Sequence, residues 1–546
     1  MQRQTGISPS EWRWVITFSG LLVAITLLPY AWAIASDSPT DSWQFMGILA
    51  NPLDGATYLS KIGEGLRGDL LYTLQYTPEP HQGAAIQEFY LFLGHIARII
   101  GLSPVLMFHI ARLVTGFIMF LSLYHLGSVI WPRLRPRRLF FSLLAVGSGL
   151  GWLYLVFFPV RAMSQAGGAP LALPTDFSIP ESIPFFATFV NPHFPLAIAL
   201  IALIAATFVV VFRPGFNMQP NLVNGGIGLA LLTVALAIVQ PQGLVAITVA
   251  LVVYLLVLTW RSRRLPLMEI NWVILVILPA LPFLIYYLAV TRDNWAMRIW
   301  NEQNATLSPS PIFYLVGYGL LLLAAIPGMW RAIRRFERDG DRFMIIWLVV
   351  NILLLYAPFN LQRRMAIGLI IPIVYFTVRA LEDYWFHQVK PPLREALLIA
   401  FFVFVVPSNI LSMLIPIFGI IRPESGIAGR LLLPAEEGKA IDWLGTHARR
   451  DNVVLAPENV SLWIPAYTGL RVVSAHPYET VNYETKQAEV AAWFDGQGCQ
   501  ELLTKYDVRY VISPPISSDQ PPSTGCYSLL GDPIASFNNV FVYAVP

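Results

Sequence analysis

The sequence predicts an α-helical polytopic membrane protein of about eleven transmembrane helices, N-terminus in and C-terminus out, with a C-terminal extracytoplasmic α/β domain. Three observations carry that reading. Of the 546 residues, 56% are apolar and only 13% are charged, about half the charge of a soluble domain, and the mean hydropathy is +0.59. Apolar stretches of spanning length recur along most of the chain. The last stretch of sequence turns polar and alternates strand with helix. A formal net charge of +3, from 36 basic and 33 acidic residues, gives no basic field that a nucleic acid would need, and the apolar content excludes disorder.

A spanning helix needs roughly 20 mainly apolar residues. The stretches that approach this lie at about 14–35, 104–130, 139–160, 191–212, 223–240, 243–260, 272–290, 311–330, 343–358, 365–380 and 395–420. The long run from Gly228 to Trp260 is split at Gln240-Pro241-Gln242-Gly243, where proline and glycine permit a tight hairpin. Lys and Arg are retained in cytoplasmic loops, and an inside N-terminus places the arginine-rich loops inside: Arg3 and Arg13, Arg133 to Arg138, Arg213, Arg261 to Arg264, Arg331 to Arg342, then Arg379, Lys390 and Arg394. The short outer loops beyond the first then carry only Arg161, Arg292, Arg298, Arg363 and Arg364. Ala33-Ile34-Ala35 resembles a signal cleavage site, but the preceding apolar stretch is longer than a signal core and reads as an uncleaved anchor.

This divides the chain into a membrane region, 1–421, whose first outer loop covers 36–103, and an outer tail, 422–546. Within the tail, helices are expected near 435–449, 459–466, 483–495 and 499–506. Strands are expected at Asn452–Ala456, Arg471–Ala475, Val508–Ser513, Cys526–Leu530 and Val540–Ala544, an order that argues a small α/β sheet. Cys499 and Cys526 are the only cysteines. Their shared module on the oxidising side makes them either a disulfide or two buried thiols.

In the first outer loop, Asn51-Pro52-Leu53-Asp54-Gly55 sets a carboxylate just behind the first span. There Asp54 can take a proton from a nucleophile or bind a cation, or serve as an Asx-turn residue. Lys61, Glu64 and most other polar residues of this loop read as a solvated face, and Phe89 to Arg98 as an interfacial helix. Glu79 and His81, between prolines, are the better site candidates. Zinc-type ligand spacing is absent. Arg112 falls within a span, one turn from His109, where ionisable groups are costly and informative; it is expected to bind a ligand or to snorkel. His193 follows Asn191-Pro192 at a helix start, and Asp176 and Glu181 sit in a proline-stiffened outer loop. Arg363 and Arg364 are adjacent on the side where arginine is scarce, and guanidinium groups bind phosphate bidentately, so a phosphate or pyrophosphate lipid headgroup is their expected partner, the alternatives being ordinary anionic lipid heads or acids of the tail.

Taken together, this architecture resembles the glycosyltransferase C superfamily, multi-pass enzymes that take sugar from polyprenyl-phosphate carriers. The resemblance rests on Asn51-Pro52-Leu53-Asp54, on Gln362-Arg363-Arg364, and on the tail segment Ser461 to Arg471 followed by His476, Glu479 and Thr480. It implies an inverting membrane glycosyltransferase of the cell envelope with Asp54 as general base. Arg363, Arg364 and Arg112 would hold the donor phosphate, and Glu79, His81, Asp176, Glu181 and His193 would shape the acceptor side. The implied partners are a polyprenyl-phosphate-sugar donor, membrane lipids and a glycan, lipid or protein acceptor. Asp54 stands beside Leu53 and Gly55 rather than in a paired acidic motif, which favours a mechanism without a metal cofactor. A transporter of a lipid-linked substrate and a non-catalytic envelope scaffold are the alternatives. Paired halves and a phosphate-binding Gly-rich loop, which a pump would need, are not found.

Overall fold

A computed structural model of the chain describes residues 6–37, 42–158, 173–212, 222–336, 340–422, 430–516 and 521–546. Arg3, Arg161, Arg213 and Arg338 of the orientation argument lie outside them. Among the described residues, nine helices are long and apolar enough to cross a membrane: Pro9–Ser36, Pro104–Ile130, Leu134–Phe157, His193–Val211, Pro241–Ser262, Leu267–Asp293, Pro311–Arg335, Gln362–Gln388 and Pro391–Ile421. The two remaining expected stretches are helical but shorter, Gly225–Val239 and Asp341–Leu354. The split before Pro241 is present, since Gln240 leaves helical backbone and Pro241 opens the next helix. The chain is a multi-pass membrane protein.

Compact packing does not follow linear order. One unit comprises residues 1–27, 111–286 and 306–414, and the other 28–110, 287–305 and 415–546. The expected boundary at 421/422 follows composition, whereas packing groups the tail with the first outer loop, because that loop buries its polar and apolar faces on tail elements.

In the first unit, two charge pairs join separate helices. Arg137 Nη1 donates to Glu11 Oε1 at 2.8 Å, and Arg379 Nε to Asp341 Oδ1 at 3.2 Å. Pairing of this kind is what makes a charge tolerable away from water.

In the second unit, the outer loop holds β1 (Trp43–Phe45) and two helices, α1 (Pro52–Arg67) and α2 (Glu88–Ile100). β1 pairs antiparallel with β2 (Leu432–Pro434), Gln44 opposite Leu433. The tail sheet comprises β3 (Val453–Leu455), β4 (Arg471–Val472), β5 (Val508–Ile512), β6 (Ala535–Phe537) and β7 (Val540–Ala544). Its order is β4-β3-β5-β7-β6; β3 runs parallel to β4 and β5, and β7 is antiparallel to β5 and β6. The expected strand at Cys526–Leu530 is instead a short 3-10 helix, Gly525–Leu529. Cys526 and Leu530 are buried while Ser528 is exposed, a spacing of one helical turn rather than two-residue alternation. Cys526 is disulfide-bonded to Cys499, with the Cα atoms 4.9 Å apart.

α1 and α2 cross at closest range where glycines replace side chains. A Cβ on Gly94 would lie 2.2 Å from the Ile62 carbonyl oxygen, and one on Gly65 2.1 Å from that of Leu91. These are backbone atoms and cannot swing aside. Gly94→Ala is therefore expected to destabilise the protein by about 1–3 kcal/mol, read as a lower unfolding temperature. α2 thus packs its Tyr90, Leu91, Leu93 and Ala97 side into protein, while Phe92 and Ile99 stay exposed.

Candidate active site

The second unit assembles a polar cluster around Asp54. Asn51 ends the preceding segment in left-handed backbone, φ 54°, which Asn tolerates, and Pro52 opens α1 with its fixed φ. Asp54 thereby stands in the first turn of α1, where the helix dipole favours a carboxylate. Asn51 Nδ2 donates to Asp54 Oδ2 at 2.6 Å. The other oxygen, Oδ1, faces His476 Nε2 at 3.8 Å, and the Asp54 side chain remains 22% exposed. A carboxylate oriented on one side and open on another can accept a proton from a bound group.

Behind it lies a buried network that the sequence did not reveal. Lys61 and Glu64, expected on a solvated face, are 0% and 1% exposed. Lys61 Nζ donates to Glu479 Oε1 at 3.1 Å and to Gln87 Oε1 at 2.6 Å. Tyr72 donates its hydroxyl proton to Glu479 Oε2 at 2.6 Å. Burial pulls the Lys61 ammonium below its usual range, and the Glu479 carboxylate opposes that pull. Glu64 accepts from the Thr73 hydroxyl at 2.5 Å, and burial pushes its carboxyl up to about 7.

His476 Nδ1 accepts from the backbone N–H groups of Tyr478 at 3.1 Å and Glu479 at 3.2 Å. That turn is held in part by Gln303, whose amide donates to the carbonyls of Pro477 and Thr480 at 3.2 and 2.8 Å. Burial lowers the imidazole's proton affinity, with Glu479 and Asp54 opposing. No local spacing pointed to His476, Glu479 or Lys61 as partners. The only sequence signal was that His476 and Glu479 belong to the tail segment that carried the family resemblance.

Glu79 and His81 belong to the same unit but are committed to holding their segment. Lys486 Nζ donates to Glu79 Oε2 at 2.6 Å. His81 Nε2 accepts from the Leu74 N–H at 2.8 Å, and its Nδ1 lies 2.9 Å from the Glu79 carbonyl.

The remaining expected site residues fall in the first unit. Arg363 and Arg364 lie on the 3-10 segment Gln362–Ala366, anchored by Arg363 N–H to the Thr306 carbonyl at 3.0 Å and by the Ser308 N–H to Gln362 Oε1 at 3.1 Å. Arg364 Nη1 donates to Glu181 Oε1 at 3.2 Å, with Glu181 1% exposed. The Arg363 side chain is partly exposed and makes no hydrogen bond or ion pair among the described residues. Asp176 is fully buried and accepts the Gly151 N–H at 3.0 Å. His193 is buried at the head of its helix. Arg112 is 0% exposed; its Nη1 donates to the Thr188 carbonyl at 2.9 Å and to Thr26 Oγ1 at 3.2 Å. A guanidinium so enclosed ties helices together through the groups it donates to. Among the described residues, no three His, Cys, Asp or Glu side chains gather as a metal-ligand set.

This arrangement of spanning helices, helical outer loop and mixed tail sheet is a glycosyltransferase C fold. The chain is similar to Archaeoglobus fulgidus oligosaccharyltransferase tethered to an acceptor peptide carrying an NVT sequon, with TM-score 0.57, 13% identity, and coverage of 91% of this chain and 68% of that one. The apo form of the same enzyme matches with TM-score 0.54 and 12% identity over 91% and 69%. ArnT from Cupriavidus metallidurans in the apo state gives TM-score 0.49 and 12% identity over 96% and 97%. No protein-family model matches the sequence, and neither does any curated protein.

Proposed function

We propose that the chain is an inverting membrane glycosyltransferase that moves a sugar from a polyprenyl-phosphate donor to a hydroxyl of a glycan, lipid or protein acceptor outside the cytoplasm. The observation that carries the reading is Asp54, a carboxylate oriented by Asn51 and partly open, on a fold of the glycosyltransferase C type. In the reaction the acceptor oxygen gives its proton to Asp54 and bonds to the anomeric carbon. The bond from that carbon to the donor phosphate breaks, and the phosphate leaves with the electron pair. Arg363, of the two adjacent arginines in the first unit the one not engaged by Glu181, is proposed on its own chemistry as a ligand for a phosphate. The sugar is transferred without a metal cofactor, Asp54 having no acidic neighbour in sequence. The Cys499–Cys526 disulfide supports an outer location for the tail, since such bonds persist in oxidising compartments.

The test is transfer from radiolabelled polyprenyl-phosphate hexoses and pentoses by the purified protein in nanodiscs. Arg363→Ala is expected to raise the donor KM and lower kcat/KM by about 10- to 100-fold, with Arg363→Lys intermediate because it keeps charge but loses the fork. Failure of the unmutated protein to transfer from any such donor would remove the proposal.

A further inference from the structure

We infer that His476 is a positioning residue for Asp54, acting through its Nε2–H. The inference rests on the reading of Asp54 as the base, and on three independent facts of geometry. Two backbone N–H groups, those of Tyr478 and Glu479, point into His476 Nδ1. A nitrogen that accepts cannot also carry the proton of a neutral imidazole, so the proton sits on Nε2. That Nε2 is buried and has no hydrogen-bond partner among the described residues, and a buried donor left unmade is costly. The polar atom it faces is Asp54 Oδ1, 3.8 Å away, with the His476 side chain 3% exposed.

The gap is about one ångström longer than a hydrogen bond, so a small approach of the carboxylate satisfies both groups. Asn51 already holds the opposite oxygen at 2.6 Å, and the two donors together would fix the plane of the carboxylate. The network behind His476 keeps it in place: Glu479 supplies one of the two N–H groups through its backbone while its side chain takes Lys61 and Tyr72. A histidine locked as a donor, facing a carboxylate and reached by no other acceptor among the described residues, is the pattern of an orienting group.

Two substitutions separate orientation from architecture. Asn at 476 can place its carbonyl where Nδ1 was and keep the turn, but it loses the donor toward Asp54. Gln can place an N–H where Nε2 was but loses the turn contacts. If His476 positions Asp54, His476→Asn lowers kcat about 10- to 100-fold with donor KM and unfolding temperature near those of the unmutated protein, and His476→Gln keeps more of kcat than Asn does. The reverse order, Asn active and Gln impaired, overturns the inference. A second readout needs no turnover. With 15N-labelled histidine, the imidazole signal lost in His476→Asn is expected to show a neutral ring protonated on Nε2 at pH 7, and to shift in Asp54→Asn. A ring protonated on Nδ1, or one indifferent to Asp54→Asn, overturns the inference whether or not the protein transfers sugar.

Discussion

Replacing Asp54 by Asn is expected to lower kcat for sugar transfer by about 10² to 10⁴, the range that a positioned general base contributes, while leaving the fold intact. The fold should tolerate it because Asp54 is partly exposed and the buried cation nearby, Lys61, donates its hydrogen bonds to Glu479 and Gln87. An amide in the same place still accepts the Asn51 amide bond but takes up no proton. The measurement is single-turnover transfer alongside a melting curve. Undiminished transfer with an unchanged melt would take Asp54 out of the mechanism. Asp54→Glu moves the carboxylate by one methylene and should fall between, since displacement of about 1 Å costs up to about 10²-fold.

The second large effect is on stability. Lys61→Met removes the cation that meets Glu479, leaving a carboxylate 4% exposed with Tyr72 as its remaining side-chain donor. Breaking a buried pair by deleting one partner costs about 3–5 kcal/mol. Exchanging both, Lys61→Met with Glu479→Leu, removes both charges together and is expected to cost less than the single change. Denaturant or thermal melts of the two single variants and the double variant give the coupling. Additive losses across the cycle would show that the two side chains do not support each other.

These two residues also mark where the sequence was legible and where it was not. The spanning helices could be read because lipid imposes a composition and a length on every stretch that crosses it, and each expected stretch is mainly helical over its described residues. The tail could be read because strand and helix periods differ within a few residues. Asp54 stood out by its place after the first span and its local Pro and Gly. Lys61 did not, because its partner lies 418 residues further on, and a lysine among glycines looks like surface. The same holds for Arg364, whose neighbour Glu181 lies 183 residues before it: adjacent arginines were visible, but not that one would be spoken for. β1 and β2 were missed because three-residue strands carry too little alternation to register. The strand expected at Cys526–Leu530 failed because its apolar residues were read by type and not by spacing.

The β1–β2 ladder sets a schedule on biogenesis. Gln44 leaves the ribosome well before Leu433, its partner in the ladder, and at bacterial or eukaryotic elongation rates of about 5–20 residues per second the interval is roughly 20 to 80 s. Throughout that time the segment bearing Asp54 and Lys61 exists without the strand and the carboxylate that complete it. The nascent loop is therefore an unfinished client, and its maturation is timed by synthesis of the tail segment that carries Leu433 and Glu479.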